Sequence, residues 1–261
     1  VNKKFVERIF TEDRVNVCNS TGILSANPEE IKVIFNNGVS TQKNKQLMLC
    51  LLCAAIYRYD TFFYELINHW GLNKKDFKVV NIDEGSLVYG RYIFEGNAVY
   101  FFKGSSGIKD FLVNIELVQT KDSLLYGKIH KGFHDVLTKD SRHLDILKDI
   151  FSLPKGTNIY FTGHSLGGAL SSLIHCYTQS ILMVNTELIT FGCPRVGDAE
   201  FSKQIKYSNR LVNGNDAVSR LPLPISYRHS EKKQLLGKES YLKFSLSSHS
   251  IDSYYNSLSR N

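Results

Sequence analysis

The chain has 261 residues, 43% of them hydrophobic and 22% charged, with a formal net charge of +7. That length allows one large α/β domain with a well-buried core, and the balance of apolar and charged residues excludes a disordered polymer. The longest apolar run, Leu47–Tyr57, falls short of the ~17 residues that cross a bilayer, and scattered lysines with no basic stripe exclude nucleic-acid readout.

In chain order, residues 1–41 read as a polar, irregular N-terminal segment with turn signals at Asn27-Pro28 and Asn36-Asn37-Gly38. Val1–Arg14 lacks the basic-then-apolar pattern of a signal peptide, although the chain does not begin with Met and a removed leader stays open. The compartment is therefore unknown, with the odd cysteine count (Cys18, Cys50, Cys53, Cys176, Cys193) leaning intracellular and against a disulfide framework. Residues 42–261 are expected to form a single domain. A long helix with an apolar face is predicted over 42–69, stopping at Gly71. Cys50-x-x-Cys53 lies inside it and has no second Cys/His pair, so it reads as core packing rather than a metal or redox site.

Strands are predicted at Phe77–Ile82, Tyr89–Phe94 and Ala98–Phe102, the last two joined by a hairpin at Glu95-Gly96-Asn97. A helix over 133–151 ends at Pro154-Lys155-Gly156. Strand 158–162, helix 166–180, strand 187–191, a short helix around 198–206, strand 209–213 and the loop Leu221-Pro222-Leu223-Pro224 follow. This alternation predicts an α/β fold with a mainly parallel central sheet, helices on both faces, and a site at the carboxyl ends of the strands.

Gly163-His164-Ser165-Leu166-Gly167 reads G-x-S-x-G between a strand-like run and a helix-like run. That context is a nucleophile elbow, in which a serine sits on a strained strand-to-helix turn with its hydroxyl presented to substrate. Side chains at the flanking glycines would clash with the neighbouring strand or helix, and the helix N-terminus offers N–H groups to a developing oxyanion. An elbow of this kind needs an acid and then a histidine further along the chain. Three histidines follow the serine. His175 lies along the elbow helix and reads as a packing or surface residue. His229 is placed on a hairpin past the Pro-rich loop. His249 precedes a C-terminal helix, the station of a general base. Among the acids, Asp198 reads as a helix N-cap and Asp252 as helix surface. Asp216 follows strand 209–213 through Gly214-Asn215, at a carboxyl end, where the acid belongs.

Six motifs in this order resemble the class 3 lipase family, the fungal-type triacylglycerol lipases and their relatives, over roughly residues 77–258. They are Lys103-Gly104-Ser105-Ser106-Gly107, Ile129-His130-Lys131-Gly132-Phe133, the elbow with Gly168-Ala169, Phe191-Gly192-Cys193-Pro194-Arg195-Val196-Gly197-Asp198, Asn213 to Pro222 around Asp216, and His249 with Tyr254 behind it. The resemblance implies the α/β-hydrolase fold and a serine carboxylic-ester hydrolase acting on acylglycerol or similar lipid esters through an acyl-enzyme, with no metal or cofactor. It implies Ser165 as nucleophile, His249 as base, Asp216 as orienter, and an oxyanion hole from the N–H groups of Leu166 and Ser105. Ile108, Phe111, Leu112 and Ile115 fall at helical spacing on one face. In lipases such a segment is a lid; a fixed surface helix fits the same spacing.

The expected partner is a lipid or ester substrate, with transient contact to a membrane or lipid-droplet surface if 108–115 is a lid. The alternatives are a phospholipase, which the positive charge mildly favours, or an acyltransferase on the same frame. A non-catalytic lipid-binding relative is a further alternative, although such proteins usually lose a triad member. The chain departs from many relatives with Lys103 in place of Arg, Phe111 in place of Trp, a short Asp216–His249 interval and no evident counterpart of the fungal disulfides. Residues 1–41 carry no part of the resemblance.

Overall fold

The computed structural model describes residue 23 and residues 26–107, 117–230, 233–240 and 243–260. Helix α1 (Pro28–Asn37) lies within the stretch expected to be irregular. Its Asn27 side chain accepts from the Glu29 N–H, Pro28 occupies the first turn, and Gly38 closes it at φ 47°. The Asn-Pro pair that reads as a turn signal is equally an N-cap followed by proline at the first helical position.

Helix α2 (Gln42–Ala55) buries every side chain from Met48 to Ala55, with Cys50 and Cys53 as free thiols in the core. The helix predicted over 42–69 is not continuous. A 3-10 turn at Ile56–Arg58 interrupts it, and the Asp60 carboxylate accepts from the Phe62 N–H to start α3 (Thr61–His69). An N-capping aspartate inside a helical pattern marks a new start, and the periodicity alone does not reveal it.

The remaining elements are β1 (Phe77–Ile82), β2 (Leu87–Phe94), β3 (Asn97–Phe102), β4 (Gln119–Thr120), β5 (Ile129–His130), α4 (Lys131–Thr138), α5 (Arg142–Phe151), β6 (Asn158–His164), α6 (Leu166–Tyr177), β7 (Thr186–Phe191), α7 (Ala199–Gln204), β8 (Ser208–Asn213), β9 (Lys233–Leu236) and α8 (Ile251–Arg260). The single helix predicted over 133–151 is two, separated by Asp140 and Ser141 at positive φ.

Seven strands form one sheet in the order β1-β2-β3-β6-β7-β8-β9. The first three pair antiparallel and the rest parallel. This is the α/β-hydrolase arrangement. Strand β9 is short and polar at Lys233-Gln234, so no alternation announces it. It pairs parallel with β8, which puts His229 on a crossover connection rather than a hairpin.

Both faces of the sheet are covered. Val99 and Phe101 of β3 pack with Leu49, Phe63, Ile189 and Tyr254. Their neighbours Ala98, Tyr100 and Phe102 pack on the other side with Phe133, Ile146, Phe161 and Leu173. A strand buried on both faces reads as an unbroken apolar run, which is what Asn97–Phe102 becomes after its first residue. The pairings Phe102↔Gly163 and His164↔Phe191 then bring the carboxyl ends of β3, β6 and β7 level, with β8 beside them.

Candidate active site

Ser165 stands between β6 and α6 at φ 58° and ψ −127°, a conformation that non-glycine residues rarely hold. Close packing enforces it. A Cβ on Gly163 would lie 2.1 Å from the Gly167 carbonyl oxygen, and one on Gly167 would lie 2.1 Å from the Phe102 carbonyl oxygen. The Ser165 N–H donates to the Phe191 carbonyl at 3.0 Å, tying the elbow to β7.

Asp216, at the end of β8, and His249, in the 3-10 turn Ser247–His249, are both fully buried. His249 Nδ1 donates to Asp216 at 3.0 Å and 2.9 Å from its two oxygens. The same carboxylate accepts the Val218 and Ser219 N–H groups at 2.8 and 3.3 Å and the Tyr254 hydroxyl at 2.5 Å. Burial pushes the Asp216 carboxyl up, but the charge and hydrogen bond of His249, with the Tyr254 hydroxyl, outweigh it and hold the carboxyl below its ordinary range. Gly192, at φ 60°, admits this pair: a Cβ there would sit 2.7 Å from Asp216 Oδ2 and 2.8 Å from His249 Nδ1.

At this site Ser165 Oγ and His249 Nε2 are buried with no hydrogen-bond partner among the described residues. No hydrogen bond joins them. The N–H of Leu166, first residue of α6, meets no protein acceptor among the described residues. Leu166 and Ser105 line one cavity of about 400 Å³ with Lys103 and Gly104. Gly104 reaches Ser165 itself, since a Cβ on it would lie 3.3 Å from that of Ser165. A larger concavity of about 790 Å³ opens around Asn158, Thr186 and Tyr207, at the amino ends of β6 to β8, away from this chemistry.

The other sequence candidates are placed elsewhere. Asp198 caps α7, accepting from the Phe201 N–H at 2.9 Å. Asp252, expected on the helix surface, accepts the Ile23 N–H at 3.1 Å. His229 Nε2 donates to the Ser219 carbonyl at 2.6 Å. Ile108, Phe111, Leu112 and Ile115 lie outside the described residues.

His164 had no assigned role in the sequence beyond its place in the elbow. Its Nε2 lies 2.6 Å from the His249 carbonyl, which can only accept, so Nε2 carries the proton and Nδ1 accepts from the Tyr57 hydroxyl at 2.8 Å. Its ring lies 4.5 Å from that of His249, centroid to centroid. His164 thus pins the backbone of His249 to β6. Tyr57 escapes sequence analysis because the break at Ile56–Arg58, unmarked in the helical pattern, is what aims it there.

Burial, reinforced by His249, pulls the His164 imidazole down to about 3. Burial likewise pulls His175 to about 4, with its Nε2 donating to the Lys206 carbonyl and Nδ1 accepting from Thr186. Rather than lying at the surface, His175 is fully buried. Both are neutral in the folded protein, whereas the unfolded chain protonates them below their ordinary pKa of ~6.5. The unfolded state therefore binds more protons in this window. The stability is complete above about pH 6.5 and is lost as pH falls towards 3–4. Urea unfolding at pH 7 and pH 5 is expected to differ by roughly 2 kcal/mol for each histidine. His175→Gln should reduce that slope, and a stability independent of pH across the window would refute the assignment.

The sheet has the α/β-hydrolase fold, with Ser165 after β6, Asp216 after β8 and His249 in the turn before α8. The family model Lipase (class 3) matches residues 99–225, just under half of the chain. The secreted mono- and diacylglycerol lipase 1 of Fusarium solani is 30% identical over 161 residues, covering 56% of this chain and 47% of that protein. Phospholipase A1-II 1 of Oryza sativa subsp. indica is 27% identical over 205 residues, covering 66% and 50%. The fold matches that of the triacylglyceride lipase of Rhizomucor miehei with a TM-score of 0.60 at 22% identity, over 76% of this chain and 82% of that one. The chain spans about half the length of these two curated relatives.

Proposed function

We propose that this protein hydrolyses carboxylic esters of lipids, acylglycerols foremost, through an acyl-enzyme on Ser165. The observation that carries the reading is the pair of unpartnered buried atoms, Ser165 Oγ and His249 Nε2, beside an imidazole whose Nδ1–H is held by both oxygens of Asp216. Buried polar atoms ordinarily find partners, and a base and a nucleophile left without them are available for a reaction. Ser165 Oγ attacks the acyl carbonyl as His249 Nε2 takes its proton, and Asp216 stabilises the imidazolium. The N–H groups of Leu166 and Ser105 receive the developing oxyanion, each such donor contributing roughly 10²–10³ in turnover. His249 returns the proton to the leaving alcohol, and a water activated by the same base releases the acid.

A second reading is a phospholipase, supported by the net charge of +7 and by the likeness to a protein named phospholipase A1 over 205 residues. Hydrolysis of emulsified diacylglycerol, triacylglycerol and anionic phospholipid, measured below and above the solubility limit of each, tests both. Preference for acylglycerols with a jump in rate at the interface supports the first reading; preference for phospholipid supports the second. A protein that neither turns over any ester nor is labelled by a fluorophosphonate is the non-catalytic relative.

A further inference from the structure

On the far side of β8 from Asn213 and Tyr254, a group of basic side chains surrounds a small cavity. It lies between α6, β7, α7, β8 and the segment Arg228–Ser230, lined by Thr190, Cys193, Phe201, Arg210 and Ser230 among others. Arg210 is 9% exposed. Among the described residues its guanidinium meets no hydrogen-bond acceptor, and its Nε is buried without a partner.

The neighbouring charges are already satisfied. Arg195 donates to the carbonyls of Arg220 and Pro222, and Arg228 to those of Pro224 and Tyr227. The Glu239 carboxylate is engaged by Arg220 and Lys233, and that of Asp216 by His249 and Tyr254. Burial and the nearby Arg210 and Arg195 press His229 well below its ordinary value, so it adds no charge of its own there.

A guanidinium cannot shed its proton to escape burial, and a buried charge is tolerated when it is paired and hydrogen-bonded. Among the described residues no carboxylate forms an ion pair with Arg210, and Glu239 and Asp216 act on it only at longer range, while Arg195 and Arg228 add positive potential. The cavity offers about 20 Å³ of free space, enough for one particle the size of a water molecule and too little for a tetrahedral oxyanion. We propose that Arg210 binds a single monatomic anion of chloride size in this cavity, as a structural counterion between β7 and β8. The inference does not depend on the catalytic reading, because the cavity takes no residue from the Ser165 site.

The test uses the full chain at fixed ionic strength, with chloride replaced stepwise by methanesulfonate, which does not fit the space. Tm should fall by about 3 °C for each tenfold loss of chloride above its Kd. Crystals grown in bromide should show an anomalous peak within hydrogen-bonding distance of the Arg210 guanidinium. Arg210→Met, which replaces the charge by an apolar chain of similar length, should abolish the chloride dependence and the peak together. If that variant does not fold, the bromide peak in the unaltered protein decides. A Tm indifferent to chloride, with no bromide peak against Arg210, overturns the proposal and leaves a water as the occupant.

Discussion

Ser165→Ala is expected to lower ester hydrolysis by roughly 10⁶ and to abolish fluorophosphonate labelling, since removing the nucleophile of such a triad costs about as much as removing the whole array. The fold should survive. Ser165 Oγ has no hydrogen-bond partner among the described residues, so its loss strands no buried donor or acceptor there. The strained backbone at φ 58° is imposed by Gly163 and Gly167 packing against neighbouring main chain, and alanine meets the same constraint as serine. Circular dichroism and thermal unfolding of the variant should therefore overlay those of the parent. Turnover within tenfold of the parent would remove Ser165 from the reaction.

Asp216→Asn is expected to lower kcat by roughly 10⁴. The carboxylate has two duties in the structure, and asparagine can perform one. As an acceptor for the Val218 and Ser219 N–H groups it holds the turn after β8, and an amide oxygen can replace it there. The other face accepts from His249 Nδ1 and from the Tyr254 hydroxyl. An amide NH₂ on that side is a donor facing donors. It favours the tautomer with the proton on Nε2, where the base must be empty to receive the serine proton. KM should change little, because Asp216 is fully buried behind His249 and touches no substrate. A variant whose kcat stays within tenfold of the parent would place the orienting carboxylate elsewhere.

These effects rest on residues that differ in how far the sequence reveals them. Ser165 is legible because an elbow is a local device: strand, tight turn and helix are contiguous, and the glycines that permit the turn flank the serine. Asp216 is legible in its strand-end context and His249 in its place before the last helix. The sequence does not contain their meeting: Gly192, with no side chain, leaves room for Asp216 and His249 beside the elbow, and Tyr254 reaches back from α8 to the same carboxylate. The break at Ile56–Arg58 is another tertiary decision. Helical periodicity runs through it, and Asp60 capping and the path of Tyr57 to His164 set it instead. Strand β9 has too few apolar residues to announce itself and exists through pairing with β8.

The sequence by itself determined the local and the ordered: apolar runs fit for a sheet covered on both faces, an elbow whose glycines cannot be otherwise, and an acid and a histidine following in the order a triad needs. Periodicity and turn chemistry act between near neighbours, so they can be read along the chain. The tertiary structure alone decided which polar groups are buried together, and with which partners. It put His164 beneath His249 with its proton on Nε2, and it left Arg210 Nε buried with no acceptor among the described residues. Burial and electrostatic pairing depend on distance through space, and residues far apart along the chain supply both.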